Sequence, residues 1–134
     1  MEGFTTNIEQ ATAENENFRQ VLYTGKHVQL VVMTLKEGED IGEEVHNNVD
    51  QFFRIEVGEA KAVIDGVEHP LTASDVAIVP AGAKHNVINT GSDALRLYTL
   101  YSPPNHKDGT IHATKQDAAA AEEHFNSIDF PFHL

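Results

Sequence analysis

The stretch SDVAIVPAGAKHNVIN, residues 74–89, places a histidine immediately after a turn. Its first half is rich in β-branched and apolar residues, and its end, HNVIN, has the same character, so both parts indicate strands. Pro80 and Gly82, which lie between them, are typical turn residues. The stretch therefore predicts two strands joined by a turn that brings His85 to the start of the second strand.

The rest of the middle of the chain repeats this short-strand pattern. FRQVLYTG and KHVQLVVMTL, residues 18–35, predict two paired strands. Further apolar segments follow at even spacing up to residue 101, each bounded by a turn signal. Asp65-Gly66 is the strongest such signal, because a two-residue hairpin turn needs positive φ at both central positions, and we expect KAVI and VEHPL to pair around it. The spacing predicts an all-β sandwich or barrel.

The two ends of the chain differ from this β-rich middle. Residues 1–17 are polar and show no helical stripe of apolar residues, so we expect an N-terminal arm. TKQDAAAAEEHF, from Thr114 to Phe125, is rich in alanine and begins with a capping residue, which predicts a short C-terminal helix. The expected organisation is one domain, with an arm at 1–17, a barrel at 18–113, and a helix and tail at 114–134.

The composition excludes several classes of function. The 134 residues include nine Lys and Arg against 21 Asp and Glu, and the formal charge of -12 repels nucleic acid and anionic lipid. The chain has no cysteine, which removes disulfides and thiolate metal sites. No apolar run approaches the length of a membrane span, and the first residues lack the pattern of a signal peptide, so we expect a cytoplasmic protein with neither nucleic-acid nor membrane partners.

A second histidine lies on an earlier strand together with other potential ligands. Side chains two residues apart on a strand share a face, so Glu44, His46 and Asn48 are expected to point the same way. Gln51 begins the following strand and can stand beside them. His85 completes a set of four with His46, Asn48 and Gln51 if its strand faces the same cavity.

The segment around His85 resembles the second motif of the cupin family. Members of this family are small β-barrels of the jelly-roll type. That motif runs Gly, five residues, Pro-x-Gly, two residues, His, three residues, Asn. Pro80, Gly82, His85 and Asn89 match it, and Ser74 stands at the place of its first glycine. A pattern of this length is specific for the fold but not for a reaction.

The segment around His46 resembles the first cupin motif, which contains His-x-His and a glutamate before a closing glycine. His46 and Gly58 match, whereas Asn48 stands at the place of the second histidine and Gln51 at that of the glutamate. The resemblance implies an all-β cupin barrel that binds a divalent ion. The implied ligands are His46 and His85, with Gln51 and Asn48 as substitutes. Zinc, iron, manganese and nickel are all compatible with this set.

The amide substitutions have a chemical consequence. Replacing a carboxylate by an amide removes the anionic ligand, so a bound ion keeps its full charge and favours a small polar or anionic ligand in its remaining positions. Glu44 or Asp50 can restore a carboxylate, as an outer ligand, as a partner of a histidine or as a general base. We prefer Glu44, because its inward direction follows from the strand period.

Features outside the motifs carry open alternatives. His106 and His112 lie on the segment after Pro103-Pro104, where His106 either belongs to a lid as an acid–base group or sits on a surface loop, and the spacing favours the loop. Arg54 and Arg96 either bind an anion or pair with surface carboxylates. Phe52 and Phe53 face opposite sides of a strand, as core or subunit-interface residues, which favours a homodimer.

Two kinds of function remain open on the sequence. The first is a metal-dependent enzyme that acts on a small polar metabolite, by sugar isomerisation or, alternatively, as a dioxygenase or decarboxylase. The second is a non-catalytic barrel that binds a small ligand through its amides.

Overall fold

The computed structural model describes residues 2–121 of the chain. One helix precedes ten strands: α1 (Ile8–Glu14), β1 (Arg19–Thr24), β2 (Gln29–Leu35), β3 (Glu44–Val45), β4 (Asp50–Val57), β5 (Glu59–Ile64), β6 (Val67–Thr72), β7 (Val76–Val79), β8 (Lys84–Asn89), β9 (Leu95–Ser102) and β10 (Ile111–His112). A further helix, α2, follows at residues 115–121.

The strands form two antiparallel sheets that enclose one core. The larger sheet has the order β10-β1-β2-β9-β4-β7 and the smaller one the order β3-β8-β5-β6. Inward positions alternate along the strands, so that Phe53 and Leu97 of the larger sheet share a core with Ala62 and Val87 of the smaller one. The all-β barrel expected from the sequence is confirmed.

Both hairpins that the sequence predicts are present. β1 pairs with β2, and β5 pairs with β6 across the turn at Asp65-Gly66. Asp65 has φ of 48° and Gly66 of 81°, the left-handed values that this two-residue turn requires.

The N-terminal arm contains a helix that the sequence did not predict. Asn7 caps α1 by accepting a 3.0 Å hydrogen bond from the Gln10 amide. The residue that α1 buries is Thr12, and its hydroxyl donates to the Ile8 carbonyl within the same helix, so α1 has no buried apolar stripe. Because the buried residue is polar, the apolar periodicity that predicts a helix is absent from this segment.

The C-terminal helix begins where the sequence predicts it. Thr114 accepts a hydrogen bond from the Asp117 amide, and Ala118 is buried in the core. A contact from Lys115 to Asp40 ties α2 to the body of the barrel. The remainder of the predicted helix, up to Phe125, lies outside the described residues. Within 2–121, neither helix has the length and apolar character needed to cross a membrane.

Asn89, the last residue of the second motif, is a structural residue. Its buried amide donates to the carbonyls of Leu35, Lys36 and Asp93, and its Oδ1 accepts from the Gly91 amide. Asn89 therefore fixes the end of β2 against the turn between β8 and β9, at the opposite end of β8 from His85.

Candidate metal centre

Three potential ligands from two segments converge inside the barrel. One ligand atom each from Glu44, His46 and His85 lies within 4.8 Å of the other two, and Glu44 Oε2 is 3.7 Å from His46 Nε2. Glu44 is the register partner of His85 in the β3–β8 pair, so their side chains share a face. This placement puts a carboxylate next to both histidines.

The turn before His85 is fastened to the segment around His46. Gly82 has φ of 89° and donates its backbone N–H to the His46 carbonyl at 2.8 Å. Asp50 accepts a 2.9 Å hydrogen bond from the Ala81 amide. Asp50 is thus a structural partner of the turn, and it is exposed.

Gln51 belongs to a row of polar side chains across the larger sheet. The register places Gln29 of β2 and Gln51 of β4 on either side of Tyr101 of β9, and all three are buried. Gln51 Nε2 donates a 3.0 Å hydrogen bond to the Thr99 hydroxyl in the next row. Its Oε1 has no hydrogen-bond partner among the described residues, although it is buried.

Both histidines present an available nitrogen. His85 Nδ1 lies 3.1 Å from the Ala83 carbonyl, so Nδ1 carries the proton and the lone pair is on Nε2. The Nε2 atoms of His46 and His85 are buried, and within residues 2–121 neither makes a hydrogen bond. Buried polar atoms are nearly always satisfied, so these atoms of His46, His85 and Gln51 are available to bind a ligand.

Electrostatics keeps these imidazoles neutral. Burial, with help from His85 and the positive charge of Arg19, lowers the pKa of His46 to about 4. Burial also lowers the pKa of His85, against the opposing effect of the hydrogen bond to Ala83. Neutral imidazole is the form that binds a metal.

Asn48 does not join the cluster. β3 ends at Val45, and residues 47–48 form a turn in which Asn48 is exposed. The strand alternation that placed Asn48 beside His46 does not reach Asn48, because the strand has already ended. The expectation that the two side chains share an inward face is wrong.

His106 lies closer to the barrel interior than its spacing indicated. Its Nε2 is 3.1 Å from the Tyr101 hydroxyl, and the two rings meet edge to face at 5.0 Å. Tyr101 in turn lies edge-on to His46 at 6.1 Å between ring centroids. Burial, then the charges of Arg19, His112 and His46, lower the pKa of His106 to about 3.

Gln29 holds the segment that carries His106. Its Oε1 accepts from the backbone amides of Asn105 and His106, and its Nε2 donates to the His106 carbonyl and to Thr24. All four bonds are between 2.8 and 3.0 Å. The segment is thus docked on the barrel.

Sequence reasoning did not single out Arg19, Gln29, Thr99 or Tyr101. Alternation along β9 carried a signal for two of them, because Leu95, Leu97, Thr99 and Tyr101 fall on one face. No sequence pattern marked Arg19 and Gln29, since their burial depends on which strands lie beside them.

The two arginines considered as anion sites are engaged elsewhere. Arg54 forms a 3.1 Å ion pair with Glu56, and Arg96 contacts Glu16 at 3.0 Å and the Asn15 carbonyl. Both are paired with carboxylates, in agreement with the second of the two alternatives.

The donor set fits a divalent ion. Two atoms bound to one ion at about 2.1 Å lie at most about 4.2 Å apart, so the cluster of Glu44, His46 and His85 needs only a small closing movement. Two imidazoles and a carboxylate suit zinc, iron, manganese and nickel.

Comparison with known proteins agrees with this fold. The family model described as Cupin domain matches residues 31–101, more than half of the chain, so the chain belongs to the cupin family.

Two relatives match nearly the whole chain. An uncharacterised Bacillus subtilis protein, YrkC, is 50% identical over 90% of this chain and 68% of its own length. The crystal structure of the Bacillus halodurans protein BH2720 has a TM-score of 0.87 at 40% identity, covering 89% of this chain and 95% of that one. A Thermotoga maritima protein described as a predicted oxalate decarboxylase has a TM-score of 0.56 at 25% identity, covering 59% of this chain and 69% of that one.

Proposed function

We propose that the protein is a metal-dependent cupin in which Glu44, His46 and His85, with Gln51, hold a divalent ion that binds a small polar or anionic metabolite. The observation that carries this proposal is the set of buried, unsatisfied atoms: Nε2 of His46, Nε2 of His85 and Oε1 of Gln51. The adjacent Glu44 carboxylate supplies the anionic ligand that the substitution at position 51 removes.

The ion and the surrounding residues have separate tasks. When bound, the ion supplies Lewis acidity, and an iron or manganese ion adds redox chemistry. Thr99 orients the Gln51 amide, and the Ala83 carbonyl fixes the tautomer of His85. Tyr101 and His106 form a hydrogen-bonded pair beside His46 that can hold or pass a proton.

Isomerisation of a sugar-like substrate is one reaction for this site. It needs a group that moves a proton between neighbouring carbons, and the Tyr101–His106 pair provides one. Glu44, considered from the sequence as a base, is a ligand in this scheme because of its position in the cluster.

A second candidate is a dioxygenase or decarboxylase, and a specific observation favours it. Two histidines and one carboxylate form the set that leaves coordination positions open in non-haem iron oxygenases. The similarity to a protein described as a predicted oxalate decarboxylase is consistent with this class. A ligand-binding barrel without a catalytic role is the remaining alternative.

The first experiment measures metal content. The protein is purified without a nickel column and analysed by elemental mass spectrometry, beside H46A, H85A and the control H69A, which alters an exposed histidine on β6. We expect close to one ion per chain in the wild type and the control, and at least a tenfold loss in H46A and H85A, since each removes one of few ligands. Substoichiometric metal that is equal in all four proteins contradicts the proposal.

The identity of the ion then separates the reactions. Zinc with exchange of substrate C–H protons, followed by NMR in deuterium oxide, supports isomerisation. Iron or manganese with consumption of oxygen or release of carbon dioxide supports the second candidate. Stable binding of a metabolite without turnover supports the non-catalytic barrel.

A further inference from the structure

We propose that Gln29 is a positioning residue of the metal site and that it holds His106 beside the ion through the segment that carries this histidine. The inference rests on the proposed function and deepens it, because it states what keeps the Tyr101–His106 pair in place. Gln29 acts through His106 and touches neither the ion nor its ligand.

The two glutamines beside Tyr101 have different tasks. Gln29 and Gln51 flank Tyr101 in the register of the larger sheet, and both are buried. Gln51 Oε1 has no hydrogen-bond partner among the described residues, whereas Gln29 Oε1 accepts two hydrogen bonds and Gln29 Nε2 donates two. A carboxamide has two donor hydrogens and two acceptor lone pairs, so Gln29 has no capacity left for a ligand.

The His106 segment, residues 103–110, connects β9 to β10 and contains neither helix nor strand. In its middle, Gln29 Oε1 accepts the backbone N–H groups of Asn105 and His106, and Gln29 Nε2 donates to the His106 carbonyl. Neighbouring strands hold each other through N–H and C=O groups in the same way. The Gln29 side chain thus takes the place of a neighbouring strand at the residue that carries the imidazole.

This pattern requires a carboxamide of the length of glutamine. A carboxylate accepts both N–H groups but has no hydrogen for the His106 carbonyl, and asparagine is one methylene shorter. The second hydrogen of Gln29 Nε2 goes to the Thr24 hydroxyl at 2.9 Å, which fixes the plane of the amide. Because the N–H and the C=O of His106 both bond to this one amide, the direction of the His106 side chain is set by Gln29.

The fixed backbone determines where the His106 ring lies. Its Nε2 is 3.1 Å from the Tyr101 hydroxyl, and the two rings meet edge to face at 5.0 Å. Tyr101 lies edge-on to His46 at 6.1 Å between ring centroids. One aromatic ring therefore separates His106 from a proposed ligand of the ion, and this short distance is what Gln29 maintains.

The test loads the whole chain with Co²⁺ and follows the NMR signals of the His106 ring. Paramagnetic Co²⁺ shifts the signals of nearby protons by an amount that falls steeply with distance. The variants are Q29M, which has similar volume and no amide, and Q29N, whose amide is too short to reach the segment. Q20M is the matched control, because Gln20 lies on the adjacent strand β1 and bonds to Asn17 instead. Circular dichroism and metal content are measured for every protein.

In the wild type and Q20M, we expect large cobalt-induced shifts of the His106 ring protons and slow hydrogen exchange at the Asn105 and His106 amides. In Q29M and Q29N, these amides should exchange at least about tenfold faster, as for the loss of a hydrogen bond, and the His106 shifts should collapse. The signals of Phe53, whose ring packs beside His85, should keep their shifts.

A merely structural role predicts a different result. Gln29 would then contribute to stability throughout the barrel, and the folded variants would keep the cobalt-induced shifts of His106. Unchanged His106 shifts in Q29M and Q29N therefore overturn the inference while the metal site stands.

A wild type that does not retain cobalt contradicts the proposed function, and the inference is then judged on the metal-free protein. Nuclear Overhauser contacts between the His106 and Tyr101 rings that disappear in Q29M and Q29N but persist in Q20M support the positioning role. Contacts that are absent from the wild type or persist in every variant overturn it. Should both variants at position 29 fail to fold, amide exchange in the wild type decides: protection at Asn105 and His106 supports the inference, and rapid exchange overturns it.

Discussion

Gln51 donates a 3.0 Å hydrogen bond from Nε2 to the Thr99 hydroxyl, which leaves its buried Oε1 as the atom available to an ion. An amide oxygen is a neutral ligand, whereas a glutamate at the same place carries a charge. In the proposed metal site, the strength of metal binding would therefore depend on a single side chain whose orientation is already fixed by its neighbour.

Q51E should tighten metal retention. The new carboxylate adds an anionic ligand, and the Thr99 hydroxyl can donate to it, so we expect about tenfold slower loss of metal to a chelator. The measurement is residual metal against time in EDTA. Q51M, which has similar volume and no oxygen, is the matched control and should lose metal faster than wild type; equal rates for all three proteins mean that Gln51 does not face the ion.

Acidification should destabilise the metal-free protein through His106. Its pKa falls from the ordinary 6.5 in the unfolded chain to about 3 in the folded one, so as pH drops below 6.5 the unfolded chain takes up the proton first. A histidine whose pKa is lowered on folding reduces the free energy of unfolding by up to about 1.4 kcal/mol for each pH unit below 6.5. Urea unfolding between pH 6.5 and 5 measures this slope.

H106Q provides the comparison for that slope. Glutamine can still hydrogen-bond the Tyr101 hydroxyl but does not titrate, so the slope should be smaller by about one proton than in wild type. H69Q, at an exposed position, should leave the slope unchanged. Parallel curves for wild type and H106Q would show that His106 has no depressed pKa.

N89A should reduce stability without loss of metal. Removing an amide that makes four hydrogen bonds, one of them to the carbonyl of buried Leu35, should cost about 2–4 kcal/mol. Urea denaturation measures the loss, and elemental analysis checks the metal. N47A, in an exposed turn, should change neither. Metal loss in folded N89A would contradict the separation between this residue and the site.

S74G should make the protein more stable. Ser74 has φ of 76°, a left-handed value that costs a non-glycine residue about 1 kcal/mol or more. Glycine removes the strain and recovers up to about 1 kcal/mol after its greater freedom in the unfolded chain is counted. A thermal melt measures the gain. S74A keeps the strain, so a gain of the same size in S74A would assign the effect to the lost hydroxyl instead.

The fold could be predicted from the sequence because its turns and strands are determined by residues close together in the chain. Pro80 and Gly82 define one turn and Asp65-Gly66 another, each through the backbone conformation that its own residues allow. Alternation placed Phe52 and Phe53 on opposite faces of their strand, and the structure buries Phe53 in the core. These features depend on neighbours in the chain, which a single sequence displays.

The site was predicted only in part because it depends on register between distant strands. His46 and His85 were identified by motif, but the pairing of Glu44 with His85 is fixed by how β3 meets β8. Arg19 looked like any strand arginine, and the burial that distinguishes it comes from packing. Helix α1 escaped notice since the residue that it buries, Thr12, is polar.

The hydrogen bond from the Gly82 amide to the His46 carbonyl joins two main-chain atoms. The relative position of the two histidine segments therefore does not depend on which side chains they carry. Main-chain atoms hold the two histidine segments together, so a side chain can be exchanged without moving its neighbours. A barrel built in this way can accept different donor atoms at one position, such as an amide or a carboxylate at position 51, without a change in its main chain. For a protein engineer, the same bond marks the part of the scaffold to leave untouched while the donor set is varied.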